Sequence, residues 1–173
     1  MPPSWARDLR TSNGLLAEVN GRDWDTVRWL MGSDPARVYV EVANLKGKAS
    51  AIDAKDYYDN ALVLIRFENN GLGSISGVCP CEYGYDARVE VIGESGILRV
   101  GDLKGSSVAV VADREAGIVT PVFRTWAERF AQGYKREMRP FEDSVISGSA
   151  PRVGGVEGRW AVACVLAGTR PFL

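Results

Sequence analysis

The chain contains no histidine among its 173 residues. Without an imidazole there is no Ser-His-Asp triad, no Cys-His pair and no histidine-based metal motif, so any proton transfer falls to carboxylates, tyrosines or lysines. Cysteine is scarce as well. Three residues, an odd number spread over the chain, do not make a disulfide framework. Cys79-Pro80-Cys81 offers two thiolates, but a closed zinc site takes about four ligands and only Cys164 remains, so no metal is expected. Neither sign of charge dominates: the net charge of -1 gives no electrostatic ground for nucleic acid or an anionic membrane as partner. No apolar run reaches spanning length, and Met1-Pro2-Pro3-Ser4 lacks the basic-then-apolar layout of a secretory signal, so a cytoplasmic location is expected. A phosphate-cradling glycine loop is missing too. The nearest string, Gly71-Leu72-Gly73-Ser74-Ile75-Ser76-Gly77, has the wrong spacing and opens a strand instead of a helix. No cofactor is therefore expected on this chain itself.

What is present is an ordinary globular composition, 46% hydrophobic and 25% charged, at a length suited to one domain over residues 1–173. Residues 1–13 read as an extended lead-in because of Pro2 and Pro3. Thr11-Ser12-Asn13 supplies cap candidates for a helix from Gly14 to Met31, with the stripe Leu16, Val19, Asp23, Val27 and Leu30 and with Trp24 beside it. Gly32 and Pro35 end it.

The periodicity then changes from helical to period two. Arg37 to Leu45, Ala61 to Glu68 and Leu72 to Cys79 read as strands of an antiparallel meander, with Asn69-Asn70-Gly71 as a turn. Ala87 to Ile92 and Ile97 to Val100 form a hairpin about Gly93-Glu94-Ser95-Gly96. Ser107 to Ala112 and Ile118 to Val122 add two strands. The fold class is α+β, a largely antiparallel open sheet with helices on one face. Tyr39, Leu62, Leu64 and Ile92 fall opposite the face of Val38, Val63, Ile65 and Val89, which leaves the other face available for dimerisation. Phe123, Trp126, Phe130, Tyr134, Met138, Phe141 and Val145 step by three and four along a helix from Phe123 to Ile146, and the stripe reads as core. Pro140 should kink or break it. Gly158 to Ala167 is a last, small-residue helix.

Three positions in the first helix, Glu18, Arg22 and Asp25, share a face by the i, i+4 and i, i+3 rule. They read either as a solvated Glu-Arg pair or as a polar wall of a pocket. Tyr83 and Tyr85, at the mouth of the hairpin, carry flat rings tipped with hydroxyls. Such groups suit a sugar-like molecule, and equally suit hairpin packing.

Laid out in this way, nearly the whole chain resembles the substrate domain of the glucose-fructose oxidoreductase / inositol dehydrogenase (Gfo/Idh/MocA) family. Asn13-Gly14-Leu15-Leu16, then Asp23-x-Asp25 and Arg28-Trp29-Leu30-Met31-Gly32, is similar to the family's G-G-x-L-x-D-x-x-x-H-D-x-D-x-x-x-W-L-x-G helix. Tyr83-Gly84-Tyr85-Asp86 through Gly93-x-x-Gly96 looks like the inositol dehydrogenase hairpin, and Arg129-Phe130 with Tyr134 and Glu137 like the family's late helix. The resemblance implies a domain that contacts substrate and dimerises beside a Rossmann domain carrying NAD(P). It places the family's catalytic carboxylate at Glu18 and its proton-accepting imidazole at Arg22, and makes Tyr83, Tyr85 and Asp25 contacts to a sugar or polyol. Arginine is always protonated and cannot act as a base. Its fork can instead clamp a carboxylate, so an acidic sugar enters as a ligand.

Two readings follow. The chain is the substrate-binding and oligomerisation half of an NAD(P)-dependent oxidoreductase whose Rossmann domain lies on another chain, or it is a catalytically inactive sugar-binding or dimerisation module.

Overall fold

A computed structural model describes residues 8–46, 57–81, 84–101 and 123–170. The helices are α1 (Leu9–Ser12), α2 (Gly14–Glu18), α3 (Gly21–Met31), α4 (Trp126–Ser147) and α5 (Gly155–Thr169). The strands are β1 (Pro35–Ala43), β2 (Asn60–Phe67), β3 (Leu72–Val78), β4 (Val89–Gly93) and β5 (Gly96–Val100). Both sheets are antiparallel, one of order β1-β2-β3 and one a β4-β5 hairpin. The architecture is α+β, as the alternation of periodicities predicts. The further strands expected at Ser107 to Ala112 and Ile118 to Val122 lie outside the described residues. No helix among the described residues is long and apolar enough to cross a membrane.

The chain forms two compact units, Met1–Pro80 with Val153–Leu173, and Cys81–Arg152. In the first, β2 alternates strictly: Ala61, Val63, Ile65 and Phe67 are buried while Leu62 and Leu64 face out. Leu15, Leu16 and Trp24 from α2 and α3, and Cys164 and Val165 from α5, join that inward face in one core. Small side chains make this possible. A Cβ on Gly168 would lie 3.3 Å from Leu16 and 3.4 Å from both Trp24 and Val40, so α5 sits as near as a helix can. The turn between β2 and β3 uses Asn70 at φ 67, and the Asn69 side chain accepts from the Gly71 N–H at 3.0 Å. Asp59, fully buried, holds the opposite end of the sheet. Its carboxylate accepts from the backbone N–H groups of Leu45 at 2.9 Å and Lys46 at 2.7 Å and from Asn60 Nδ2 at 2.5 Å.

Three expectations are corrected. Leu9–Ser12 are not an extended lead-in but a short helix, capped by the Asp8 carboxylate on the Arg10 N–H at 2.9 Å. Asn13, with φ 55, closes that helix in a left-handed conformation and gives no side-chain cap to the next one. The helix expected from Gly14 to Met31 is two helices. At Asn20-Gly21 the chain turns: the Asn20 N–H reaches back to Leu15 O at 3.1 Å, and its carbonyl begins α3 by accepting from Asp23 and Trp24. Asn-Gly favours a turn over helix interior, and the apolar stripe hides the break because α2 and α3 both face the same core.

In the second unit, α4 runs through Pro140, so of the kink or break expected there the break does not occur, and it is capped by Thr125, whose side chain accepts from the Glu128 N–H. Proline removes one internal bond, but this helix is exposed, so water can satisfy the Arg136 carbonyl. The stripe read as core is not buried: Phe123 and Phe130 are half-buried, and the exposure of Trp126, Tyr134, Met138, Phe141 and Val145 runs from 40% to 67%. Only its first turns are engaged. Phe130 meets the Tyr85 ring edge-on at 5.7 Å, and Arg129 donates to Ala87 O at 2.9 Å while lying over Phe123.

Replacing Asp59 with Ala strips the acceptor from three donors at the end of the sheet. The expected loss is about 2 kcal/mol in urea unfolding, whereas an isosteric Asp59→Asn should retain part of it.

Candidate functional site

The residues proposed to carry chemistry begin where α2 stops. Glu18 is its last residue and is exposed. Arg22 is the second residue of α3, also exposed, and Asp25 is half-buried one turn on. The helix break means that Glu18 and Arg22 do not share a continuous helical face as expected. Neither takes part in an ion pair among the described residues. Arg22 and Asp25, both on α3, keep their i, i+3 relation.

Between them lies a polar pair, Asn20 and Asp23, of which periodicity placed only Asp23 on the packing stripe. Asn20 is 1% exposed and donates from Nδ2 to Asp23 Oδ2 at 2.8 Å. Burial pushes the Asp23 carboxyl above its ordinary value, while the Asn20 bond and the Arg22 charge pull it back. The other amide atom, Asn20 Oδ1, is buried without a hydrogen-bond partner. A Cβ on Gly77 of β3 would stand only 2.2 Å from it, so the missing side chain at Gly77 is what admits the amide. The dipeptide Asn20-Gly21 in the sequence is the one sign that could have marked this corner.

Of the tyrosines, Tyr83 lies outside the described residues. Tyr85 is half-buried in the second unit, its N–H donating to Phe123 O at 2.7 Å and its ring edge-on to Phe130. Beside it, Arg88 grips Asp86 with two bonds of 2.8 Å. The described geometry thus uses Tyr85 in packing, one of the two roles open to it from sequence.

The outward face of β1-β2-β3 is an apolar surface. Register puts Tyr39 beside Leu64 and Ser74, and Glu41 beside Leu62 and Ser76. Together they floor a shallow depression of about 240 Å³. The Tyr39 hydroxyl donates to Glu41 Oε1. A larger depression, about 490 Å³, lies at the end of α3 against Arg28, Trp29, Asp34 and Glu68 and contains none of the candidate residues. Arg28 is engaged there, paired with Asp34 at 2.6 Å and stacked over Trp160.

The glycine string of β3 is not a dinucleotide cradle. Gly73 to Gly77 belong to β3, paired along β2, and so do not present the helix N-terminus that holds a pyrophosphate. Among the described residues no group of three or more acidic or cysteine side chains could hold a metal ion.

Residues 2–171 match the family model described as the oxidoreductase family, C-terminal alpha/beta domain. A myo-inositol 2-dehydrogenase of Thermotoga maritima is 29% identical over 158 residues, covering 89% of this chain and 45% of that protein. The myo-inositol dehydrogenase Hyg17 of Streptomyces leeuwenhoekii is 32% identical over 171 residues, covering 98% and 50%. A solved structure of a putative myo-inositol dehydrogenase from Sinorhizobium meliloti superposes with a TM-score of 0.81 at 26% identity, over 95% of this chain and 49% of the other. The chain spans about half the length of the curated relatives it matches.

A methyl group at position 77 collides with the Asn20 amide, so Gly77→Ala should destabilise by about 1–3 kcal/mol in chemical denaturation. Asp23 carries a native pKa above its unfolded value of 3.8, so its contribution to stability is full below that value and is lost as pH rises through the native one. Asp23→Asn should therefore flatten the dependence of the melting temperature on pH over that interval; an unchanged slope would show the carboxyl to be unperturbed.

Proposed function

Because this chain belongs to the Gfo/Idh/MocA oxidoreductases, as their C-terminal alpha/beta domain, we propose that it is the substrate-binding and oligomerisation part of an NAD(P)-dependent sugar or polyol dehydrogenase. The observation that carries this reading is the match over residues 2–171, with relatives named as inositol dehydrogenases of which the chain spans half. In this reading Glu18 is the acid/base carboxylate and Asp25 a polyol contact; for Tyr83 and Tyr85 a polyol contact is what the family resemblance alone implies. NAD(P) sits on the family's Rossmann domain, whether that domain is joined to these residues or lies on another chain. Oligomerisation uses the outer face of β1-β2-β3. Leu62 and Leu64, at 62% and 59% exposure, are the apolar centre of that face, and a contiguous patch of this kind is what interfaces between copies are made of. The location that goes with this reading is the cytoplasm.

Arg22 favours a second reading. The family's imidazole position is occupied by a side chain that cannot accept a proton at working pH, so the scaffold would bind and pair without catalysing. Binding of a sugar and self-association are common to both readings; turnover separates them.

Combined or fused with a Rossmann domain of this family, the chain should restore polyol-dependent reduction of NAD(P), and Glu18→Gln should lower kcat by about a hundredfold. Restored binding without turnover supports the second reading instead. For the interface, Leu62→Glu with Leu64→Glu should convert a dimer into a monomer in sedimentation velocity; a wild-type chain that sediments as a monomer at high micromolar concentration removes the proposal.

A further inference from the structure

We infer that Asn70 is a site of covalent self-modification: its side-chain amide is displaced by the backbone nitrogen of Gly71, and Arg66 assists the step. The inference stands apart from the proposed substrate site.

Asn-Gly occurs three times in the chain, at Asn13-Gly14, Asn20-Gly21 and Asn70-Gly71. In each, the glycine has no Cβ to hinder its nitrogen from closing on the asparagine Cγ. The fold seals two of the three. Asn20 is 1% exposed, with Nδ2 on Asp23 Oδ2 at 2.8 Å and Oδ1 packed against Gly77. At Asn13 the following nitrogen, that of Gly14, donates a buried bond to Ser12 Oγ at 2.9 Å, and a Cβ on Gly14 would lie 2.5 Å from Leu9. The electrophile is shut away in the first and the nucleophile in the second, so freeing either means opening part of the core.

Asn70 is open. It is exposed at the tip between β2 and β3, and its side-chain amide makes no hydrogen bond among the described residues. The Gly71 N–H donates to the exposed side chain of Asn69 at 3.0 Å. Arg66 Nη1 donates to the Asn70 carbonyl oxygen at 2.7 Å. That carbonyl shares a peptide bond with the Gly71 nitrogen, so when the nitrogen loses its proton the negative charge spreads onto the oxygen that Arg66 already holds. A charge-assisted bond at that oxygen lowers the cost of deprotonation.

The step balances with water as the one co-reactant. Solvent hydroxide takes the Gly71 proton, the nitrogen bonds to Asn70 Cγ, the Cγ–Nδ2 bond breaks, and ammonia leaves with a proton from water. Water then opens the cyclic imide. Attack at Cγ gives aspartate, while attack at the backbone carbon gives isoaspartate, which routes the main chain through Cβ and Cγ and lengthens it at the turn that sets the register of β2 and β3. Ring closure requires a rotation at Asn70 that opens the bond from Phe67 N–H to Gly71 O. That bond lies at the tip of the hairpin, where local opening costs least.

The test follows the folded full chain over time at mildly alkaline pH by peptide mass spectrometry. Asn70 should lose its amide while Asn13 and Asn20 keep theirs, and in urea all three should convert. Arg66→Gln should slow conversion of Asn70 severalfold in the folded chain and leave its rate in urea unchanged, because the bond to the Asn70 carbonyl belongs to the folded turn. Arg66→Lys should keep part of the rate, and continued protection of Asn13 and Asn20 shows that each variant is folded. An Asn70 that keeps its amide in the folded chain overturns the inference. So does conversion of Asn13 or Asn20 alongside it, or a folded Arg66→Gln chain that converts as fast as wild type.

Discussion

The approach of α5 to the back of the sheet is the constraint on which the first unit depends. Leu16, Trp24 and Val40 come from two helices and a strand, and all three converge on Gly168, where an added Cβ would crowd them at 3.3 to 3.4 Å. Through that point a segment from the C-terminal end of the chain closes a core whose other walls lie within its first half. Trp24 is fully buried there, and a buried aromatic of that size brings more apolar area into the core than any neighbour. Because Trp24 is fixed, so is the start of α3, and with it the positions of Arg22 and Asp25. The candidate site is thus held by packing, and no bond between its own members is needed to place it.

The same packing explains the corner at Asn20. A continuous helix from Gly14 would keep a single axis, but α2 and α3 must each lay an apolar side on the sheet. The turn at Asn20-Gly21 allows that change of direction, and it brings a polar amide inside. Asn20 is accommodated by two devices, the bond to Asp23 and the absence of a side chain at Gly77. One of its polar atoms still lacks a partner, as does the Trp24 indole nitrogen, and each such atom lowers stability by the unrecovered cost of its desolvation.

The strands were legible because burial on one side imposes period two, and β2 obeys it at every residue; the turn at Asn69-Asn70-Gly71 was legible because only a few residue types accept positive φ. The break between α2 and α3 was not, since an apolar stripe reports which side is buried and not whether the axis is continuous. The α4 stripe fails for a related reason. Trp126, Tyr134, Met138 and Phe141 do fall on one side of a helix, but periodicity says only that such a side gains from being covered and is silent on whether this part of the chain covers it. At the site, Glu18, Arg22 and Asp25 were legible as residue types in a pattern. Asp23 was legible on the apolar stripe, but the burial of Asn20 was not, because it depends on the distant Gly77.

The departure at position 22 reshapes what this scaffold can do. An imidazole gains and loses a proton near neutral pH, while a guanidinium does neither, so a site built with the first can move protons and a site built with the second can only hold charge. The half-buried carboxyl of Asp23 shifts in the direction that would let it exchange a proton more readily, but it faces Asn20 and not the solvent side on which Arg22 lies. Proton acceptance therefore has no replacement at Asp23, and exposed Glu18 is left as the titratable group of this corner that faces solvent. In the proposed reading the chemistry left to these residues is recognition, orienting a ligand through a fixed cation, with any transfer of a proton falling on the exposed carboxylate at the end of α2.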